Sequence, residues 1–245
     1  MLWLIICIIK ILILEFKIIN GIKTYCPSSR ADLIQYAFDR KKTLVAVNAE
    51  KILNSNKEVR NFINNNIGYA DGIGAVLFLK QNGVKNAFKI PGVELWLDIV
   101  KANYKKKSFY LIGGKQEIIE STVNKLRFEF KGIVIKNFRN GYIKAESEKH
   151  ELIDDVLKFK PDIVFVAMGS PLQEKLIMKM QEKHQAVYQG LGGSFDVYTG
   201  NVKRAPKWWV KNYLEWAYRI IKQPARLRRQ IHLIRFLINF LLKRY

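Results

Sequence analysis

One aspartate is placed where its carboxylate could act on a ligand. Asp71 lies in the stretch Ala70–Gly74, beside glycines whose lack of a side chain lets other atoms come close. A carboxylate in such a turn could act as general base on a hydroxyl group if it is positioned and partly desolvated. The alternative is an aspartate that only closes an Asx turn, and the spacing alone favours that alternative.

A second candidate stretch is Gly169–Glu174, which follows an apolar run. Ser170 is suited to cap a helix that begins at Pro171, with Gln173 as its partner in a capping box. A helix N-terminus at the end of a strand favours anions. Gln173 could therefore bind either a ligand or only the backbone.

A third stretch, Gly190–Asp196, offers close backbone approach at Gly192 and Gly193 and then an acid, Asp196. It has no third glycine in register and lies late in the chain, so it does not match the dinucleotide fingerprint. Hydride transfer is thus a weak interpretation.

Cysteine, histidine and aspartate spacing predicts neither a disulfide framework nor a metal site. The two cysteines and three histidines are far apart, and no Asp-x-Asp pair occurs. No cofactor is predicted.

The apolar pattern indicates an α/β fold with a mostly parallel sheet covered by helices on both faces. Runs rich in β-branched residues predict strands at Thr43–Val47, Ser108–Ile112, Ile133–Ile135, Asp162–Met168 and Ala186–Leu191. Amphipathic stretches predict helices at Arg30–Arg40, Glu50–Asn65, Val93–Tyr104, Gln116–Phe130, Glu146–Phe159 and Pro171–Lys183.

Ligands of such sheets bind beyond the carboxyl ends of the strands. Five loops lie at these ends, and they supply candidate ligand contacts at Asn48, Gly113, Tyr142, Gly169, Gly192 and Gly193.

Charge is concentrated at the C-terminus. Residues 197–245 hold twelve Lys/Arg and one acid, Glu215, which gives +11, whereas the other 196 residues carry +10. After Pro224, apolar residues recur at helical spacing among arginines. Such a helix belongs at a membrane interface or in a partner's groove, or it docks on its own domain. We expect residues 201–245 to be a basic helical appendage on a core of residues 18–200.

Residues 1–17 form an apolar extension that Lys10 interrupts. The run is shorter than the roughly 20 apolar residues of a spanning helix. It is interpreted as an anchor, an interfacial segment, or a mispredicted start before a first strand at Lys17–Ile22.

Seven collinear strings together carry a specific resemblance: YADGIG, KIPGVEL, FYLIGG, NGYI, MGSPLQE, GLGGSFDVYTGNVKRAPKWW and LEWAYRIIKQPARLRR. Over about residues 18–235 the chain resembles the WecG/TagA/CpsF family of bacterial glycosyltransferases.

The resemblance implies an inverting, metal-independent enzyme with a Rossmann-like core. It implies transfer of N-acetylmannosamine or its uronic acid from a UDP-sugar to undecaprenyl-diphosphate-linked N-acetylglucosamine. The enzyme would be peripheral on the cytoplasmic face of the plasma membrane, with an anionic membrane surface as partner, and would serve teichoic acid or polysaccharide synthesis.

The resemblance also implies residue roles. Asp71 corresponds to the family's base, Asn48 to the polar residue after the first core strand, and Gln173 to the family's glutamine. Three arginines correspond to those of the family's appendage: Arg219, Arg226 and Arg229.

Three positions depart from the family pattern. Ala46 replaces a common threonine, Lys89 a common arginine, and Glu94 a common aspartate. Lys89 keeps the charge but loses bidentate phosphate geometry. These departures therefore bear on donor identity rather than on reaction class.

Two other classes are weaker interpretations. Net charge of +21 and the C-terminal aromatics would allow a nucleic-acid-binding protein. No nucleic-acid-binding motif appears, so nucleic acid is not expected as a partner. A catalytically silent scaffold is disfavoured because Asp71 and Gln173 are present.

Overall fold

A single eight-stranded sheet organises the part of the chain that the computed structural model describes. That part is residues 13–222 and 227–242, without the side chains of residues 219, 227–230 and 237. The strands are β1 Phe16–Ile19, β2 Ile22–Tyr25, β3 Leu44–Val47, β4 Ile67–Ala70, β5 Ser108–Gly113, β6 Val134–Arg139, β7 Ile163–Ala167 and β8 Val187–Gly190. Their spatial order is β1-β2-β4-β3-β8-β7-β5-β6. Only β1 pairs antiparallel, so the predicted mostly parallel sheet is confirmed.

Helices cover both faces of the sheet. They are α1 Arg30–Arg40, α2 Ala49–Asn54, α3 Lys57–Asn64, α4 Ile73–Gln81, α5 Gly92–Asn103, α6 Gln116–Glu129, α7 Glu146–Phe159, α8 Leu172–Lys183, α9 Ser194–Tyr198, α10 Lys207–Lys211, α11 Glu215–Lys222 and α12 Leu227–Leu241. One core cluster packs α2, α3, α4, α7 and α8 on the sheet. The other packs α1, α5, α6 and α9. The α/β class with helices on both faces is therefore confirmed.

All five predicted strands are present, but the sequence analysis missed β4 and a β1–β2 hairpin. The predicted strand at Lys17–Ile22 is instead two strands, joined by Asn20 and Gly21, which both have positive φ. The predicted helix at Glu50–Asn65 is two helices, because Asn56 begins α3 by accepting a hydrogen bond from the Val59 N–H. Residues 1–12 lie outside the described part, and with them most of the extension of residues 1–17.

Strand β4 escaped prediction because it is short and contains Gly68. A Cβ at this position would lie 2.4 Å from the backbone oxygen of Lys23. Glycine is thus required by the close approach of β2, a neighbour more than forty residues away in the chain. Local sequence shows a strand-breaking residue and does not reveal the contact that needs it.

The C-terminal segment, residues 201–245, returns to the core through α12, which packs against α2 and α4. Phe236 is fully buried, and a Cβ on Gly74 would lie 2.7 Å from its ring. Ile231, Ile234 and Ile238 remain exposed on another side of the helix. The helix therefore docks on its own domain through one apolar face and leaves a second one uncovered. The division into core and appendage stays a prediction.

Candidate active site

A cavity of about 510 Å³ lies at the carboxyl ends of the four central strands β4, β3, β8 and β7. Residues of the C-terminal segment also line it, among them Arg204, Glu215 and Leu233. Most of the predicted site residues line this cavity: Asn48, Asp71, Lys89, Gly169, Gln173, Gly192, Gly193 and Asp196. Four separate loops thus meet at one place because parallel strands end at the same edge of the sheet.

Two predicted site residues do not line the cavity. Gly113 ends β5, where a Cβ would lie 2.2 Å from the backbone oxygen of Ala167. Tyr142 is exposed, and its N–H donates to the side chain of Asn140. The ends of β5 and β6 pack on each other through Gly113 and Gly141. These loops follow the outer strands, so they lie to one side of the central cavity.

Asp71 lies directly after β4, and its carboxylate is hydrogen-bonded to another element at the edge of the cavity. Its Oδ1 accepts a hydrogen bond of 2.9 Å from the N–H of Gly92, the first residue of α5. This contact spans 21 residues, so Asp71 binds another element rather than its own turn. Glycine fits at position 92 because a Cβ there would lie only 3.1 Å from the hydroxyl of Tyr69.

Tyr69 is buried behind Asp71 and keeps its proton. Burial, with the nearby charge of Asp71, raises the pKa of the Tyr69 hydroxyl far above its ordinary value of 10.0. The hydroxyl accepts a hydrogen bond from Gln189. A buried phenol therefore lies beside the Asp71 carboxylate.

Asn48 has a structural contact of its own. Its side-chain oxygen accepts a hydrogen bond of 3.0 Å from the N–H of Lys51 and so begins α2. The neighbouring strand residue Ala46 also lines the cavity. At the position where the resemblance led us to expect a threonine, this chain therefore has the methyl group of Ala46.

Lys89 is paired with the C-terminal segment. Its Nζ lies 2.9 Å from Oε2 of Glu215, and both side chains are largely buried. Glu215 is the one acid among residues 197–245. The ion pair therefore ties α11 to the core at the cavity wall.

The predicted capping box at Gln173 is wrong. The helix begins one residue later than predicted, at Leu172, and Pro171 at the cap position makes no side-chain hydrogen bond. Ser170 donates to Glu174 instead, and Gln173 Oε1 accepts from the N–H of Gly192 at 2.9 Å. The amide thus joins the start of α8 to the glycine loop after β8, and it provides the Gly192 N–H with a hydrogen-bond acceptor.

Arg204 lines the cavity from the loop before α10 and is anchored to Glu94, which also pairs with Arg30. Burial opposes the charged form of Glu94, but hydrogen bonds from Arg204 and Arg30 outweigh it and hold the pKa of Glu94 below its ordinary value of 4.5. A glutamate therefore serves here as the shared acceptor of two guanidinium groups.

Three predicted residues lie outside what the structure describes. Arg226 is among the undescribed residues, and the side chains of Arg219 and Arg229 are not described. Their proposed contact with a leaving group stays a prediction.

The sequence analysis did not single out several charged residues at or beneath the cavity, among them Lys51, Glu174, Arg204 and Glu215. Glu174 and Glu215 belong to two of the strings that carry the family resemblance, beside Gln173 and Trp216. Their positions were therefore a reason to consider them as site residues. Nothing in the local sequence marked Lys51 as a site residue, because its burial depends on Glu174, more than a hundred residues away. Among the described residues, no three His, Cys, Asp or Glu side chains are grouped to hold a metal ion.

Fold and site together define a class of α/β enzyme. Its ligand cavity lies beyond the carboxyl ends of a parallel sheet and is lined by a carboxylate and several cationic side chains. The family model for the glycosyl transferase WecG/TagA/CpsF family matches residues 19–245, nearly the whole chain. The protein belongs to this family and is a glycosyltransferase of cell-surface polysaccharide synthesis. None of the described helices combines the length and apolarity needed to cross a membrane.

Proposed function

We propose that the protein is an inverting, metal-independent glycosyltransferase. It moves a hexose derivative, N-acetylmannosamine or its uronic acid, from a UDP-sugar to undecaprenyl-diphosphate-linked N-acetylglucosamine at the cytoplasmic face of the membrane. The observation that carries the proposal is the Asp71 carboxylate, which borders the cavity and is oriented by the Gly92 N–H. Family membership supports a sugar donor and a lipid-linked acceptor in general terms.

The proposed reaction is a single displacement. Asp71 removes the proton of the acceptor hydroxyl as its oxygen attacks the anomeric carbon. The bond between that carbon and the diphosphate oxygen breaks, and UDP leaves with the bonding electrons. Attack from the opposite face inverts the configuration at the anomeric carbon.

Cations must stabilise the charge that develops on the leaving diphosphate. Lys89 and Arg204 line the cavity and are available for this role. We include Arg219, Arg226 and Arg229 as further contributors on the basis of the family resemblance. Gly169, Gly192, Gly193 and Asp196 also line the cavity. We assign the glycines to close approach of the donor to the backbone and Asp196 to a donor hydroxyl.

The membrane contact is proposed for the uncovered face of α12. Ile231, Ile234 and Ile238 are exposed there, and Arg235 is exposed beside them. Apolar side chains interleaved with arginine favour the boundary between lipid headgroups and acyl chains. A basic surface of this kind is attracted to anionic lipid by about 1 kcal/mol for each cation near it.

The reaction is tested by incubating the protein with a panel of UDP-sugars and a short-chain lipid-diphosphate N-acetylglucosamine. The expected product is a β-linked disaccharide, detected by mass and NMR, together with UDP. Turnover is expected to persist in excess EDTA. Complete loss on chelation, restored by magnesium or manganese, would refute metal independence, and no product from any donor would refute the proposed substrates.

The base is tested with Asp71→Asn. The expected result is a fall in kcat by about 10²–10⁴ while UDP binding and melting temperature are kept, because an amide cannot accept the proton. Asp154→Asn, at an exposed position on α7, is the matched control and should leave kcat unchanged. Retention of more than about a third of turnover by Asp71→Asn would show that Asp71 is only structural.

The membrane surface is tested by flotation with vesicles that contain anionic lipid. Ile234→Glu should weaken binding, and rising salt should weaken it further because surface charge is screened within about 10 Å at 0.1 M salt. Phe128→Glu, at an exposed apolar residue on α6, is the control. Equal binding of both variants would exclude the α12 face.

A further inference from the structure

Three buried polar side chains, Lys51, Gln173 and Glu174, lie together beneath the cavity, and we call them the floor triad. Their exposed fractions are 7%, 4% and 2%. Lys51 Nζ lies 3.0 Å from Glu174 Oε1, and Gln173 Nε2 donates to the same oxygen at 3.1 Å. Such a group of buried polar side chains needs an explanation. Taking an ion pair out of water costs free energy, and apolar side chains of similar volume often stabilise a fold as well or better.

Within the floor triad, the carboxylate of Glu174 is fully used by the chain itself. Ser170 Oγ donates to its other oxygen, Oε2, at 2.8 Å. Burial disfavours the charged form, but the charge and hydrogen bond of Lys51, with those of Ser170 and Gln173, outweigh it and lower the pKa of Glu174. Glu174 is therefore an anion held by three partners, and it does not itself line the cavity.

The Gln173 side chain is hydrogen-bonded within the chain through both its nitrogen and its oxygen. Its nitrogen donates to Glu174 and its oxygen accepts from Gly192. Gly190 lies against the amide, where a Cβ would come within 2.6 Å of Nε2. Gln173 thus fixes the glycine loop rather than offering its amide to a ligand.

Lys51 is the member of the floor triad that keeps capacity toward the cavity. An ammonium has three N–H donors, and the ion pair with Glu174 engages one. Lys51 also lines the cavity together with Asn48, Gly190 and Gly192. A nearly buried cation at a cavity wall, charged and held from behind, is suited to an anionic oxygen of a ligand.

We propose that Lys51 binds an anionic oxygen of the donor and that Glu174 is the positioning residue that orients the Lys51 ammonium. This inference rests on the proposed function. The oxygen belongs to the diphosphate or to the carboxylate of a donated uronic acid, which share the same chemistry toward an ammonium. Lys51 is thus a donor-binding residue of this chain outside the strings that carry the family resemblance.

The test is calorimetric binding of four ligands to the full chain: uridine, UDP, UDP-N-acetylmannosamine and its uronic acid form. If the oxygen is on the diphosphate, Lys51→Met should weaken the last three by roughly tenfold or more and leave uridine unchanged. If it is on the sugar, only the uronic acid donor should weaken. Glu174→Gln should give the same pattern with a smaller change.

Folding is controlled with the double variant Lys51→Met/Glu174→Gln, which removes both charges and leaves no buried ion without a partner. It should show the same ligand pattern as Lys51→Met with a melting temperature near that of the wild type. Loss of uridine binding in parallel with the other ligands would reveal a merely structural role. Unchanged affinity for all four ligands would equally overturn the proposal. If the wild type itself binds neither UDP nor a UDP-sugar, the proposed function fails instead.

Discussion

Two ion pairs border the cavity, and they differ in what they connect. Lys51–Glu174 joins α2 to α8 inside the core, where Ser170 and Gln173 support it. Lys89–Glu215 joins the core to the C-terminal segment. The first pair lies between two elements of the predicted core, whereas the second lies between that core and the segment predicted as its appendage. We therefore expect the two sides of the cavity to respond differently when their ion pairs or apolar contacts are removed.

Glu174→Ala is expected to have the largest effect on stability, and it tests the ion pair within the predicted core. Loss of the buried partner of Lys51 should lower the free energy of unfolding by about 3–5 kcal/mol, as measured by urea denaturation. Lys51→Met/Glu174→Leu should recover at least half of that loss, because no unpaired charge remains. A loss from Glu174→Ala below about 1 kcal/mol would mean that water reaches the pair.

Phe236→Ala should act on the other side of the cavity. Removing a fully buried ring costs about 3 kcal/mol or more, but here the cost should fall on docking of α12. Hydrogen exchange should therefore rise in α11 and α12 and stay unchanged in β3, β7 and β8. Uniform loss of protection across the sheet would contradict the separation of the two sides. Ile238→Ala, on the exposed face, is the control.

Glu215→Gln should have a smaller effect of the same kind. The lost charge-assisted hydrogen bond is worth about 1.5–3 kcal/mol, and the amide can still accept one from Lys89. Protease cleavage within residues 201–222 should become faster, with the urea midpoint of the core unchanged. Glu117→Gln, at an exposed position on α6, should not change the cleavage rate. Unchanged cleavage in Glu215→Gln would show that the pair does not hold the segment.

The smallest expected effect is on pH dependence. The pKa values of Glu174 and Glu94 are lowered in the folded chain from 4.5, so their stabilisation is complete above that pH and is lost as pH falls through the lower folded values. Each group contributes a slope of at most about 1.4 kcal/mol per pH unit. Lys51→Met/Glu174→Gln should therefore lose stability less steeply below pH 4.5 than the wild type. Identical slopes would show that Glu174 is not charged.

The sequence predicted the sheet and most of the cavity because their signals are local. Short, mainly apolar runs identified β3, β5, β7 and β8, and the rule that ligands bind beyond strand ends then brought Asn48 and Gly192 together. The Asn20-Gly21 pair is a strong hairpin signal, so β1 and β2 were predictable and were overlooked.

What the sequence could not supply is contacts between distant residues. The role of Gln173 depends on the backbone of Gly192, and that of Lys51 on Glu174. A capping motif and a buried linking residue look the same when only neighbours in the chain are compared. The apolar periodicity after Pro224 predicted an amphipathic helix but not which side of it docks. Leu233 and Phe236 are buried, whereas Ile231, Ile234 and Ile238 are exposed.

The contact between Gly74 and Phe236 has a consequence for variation among relatives. A Cβ at position 74 would lie 2.7 and 2.8 Å from two carbons of the ring, and position 74 is three residues beyond Asp71. The two positions should therefore covary, with a larger residue at 74 accompanied by a smaller one at 236. A helix far along the chain would in this way restrict drift in the turn that carries the proposed base.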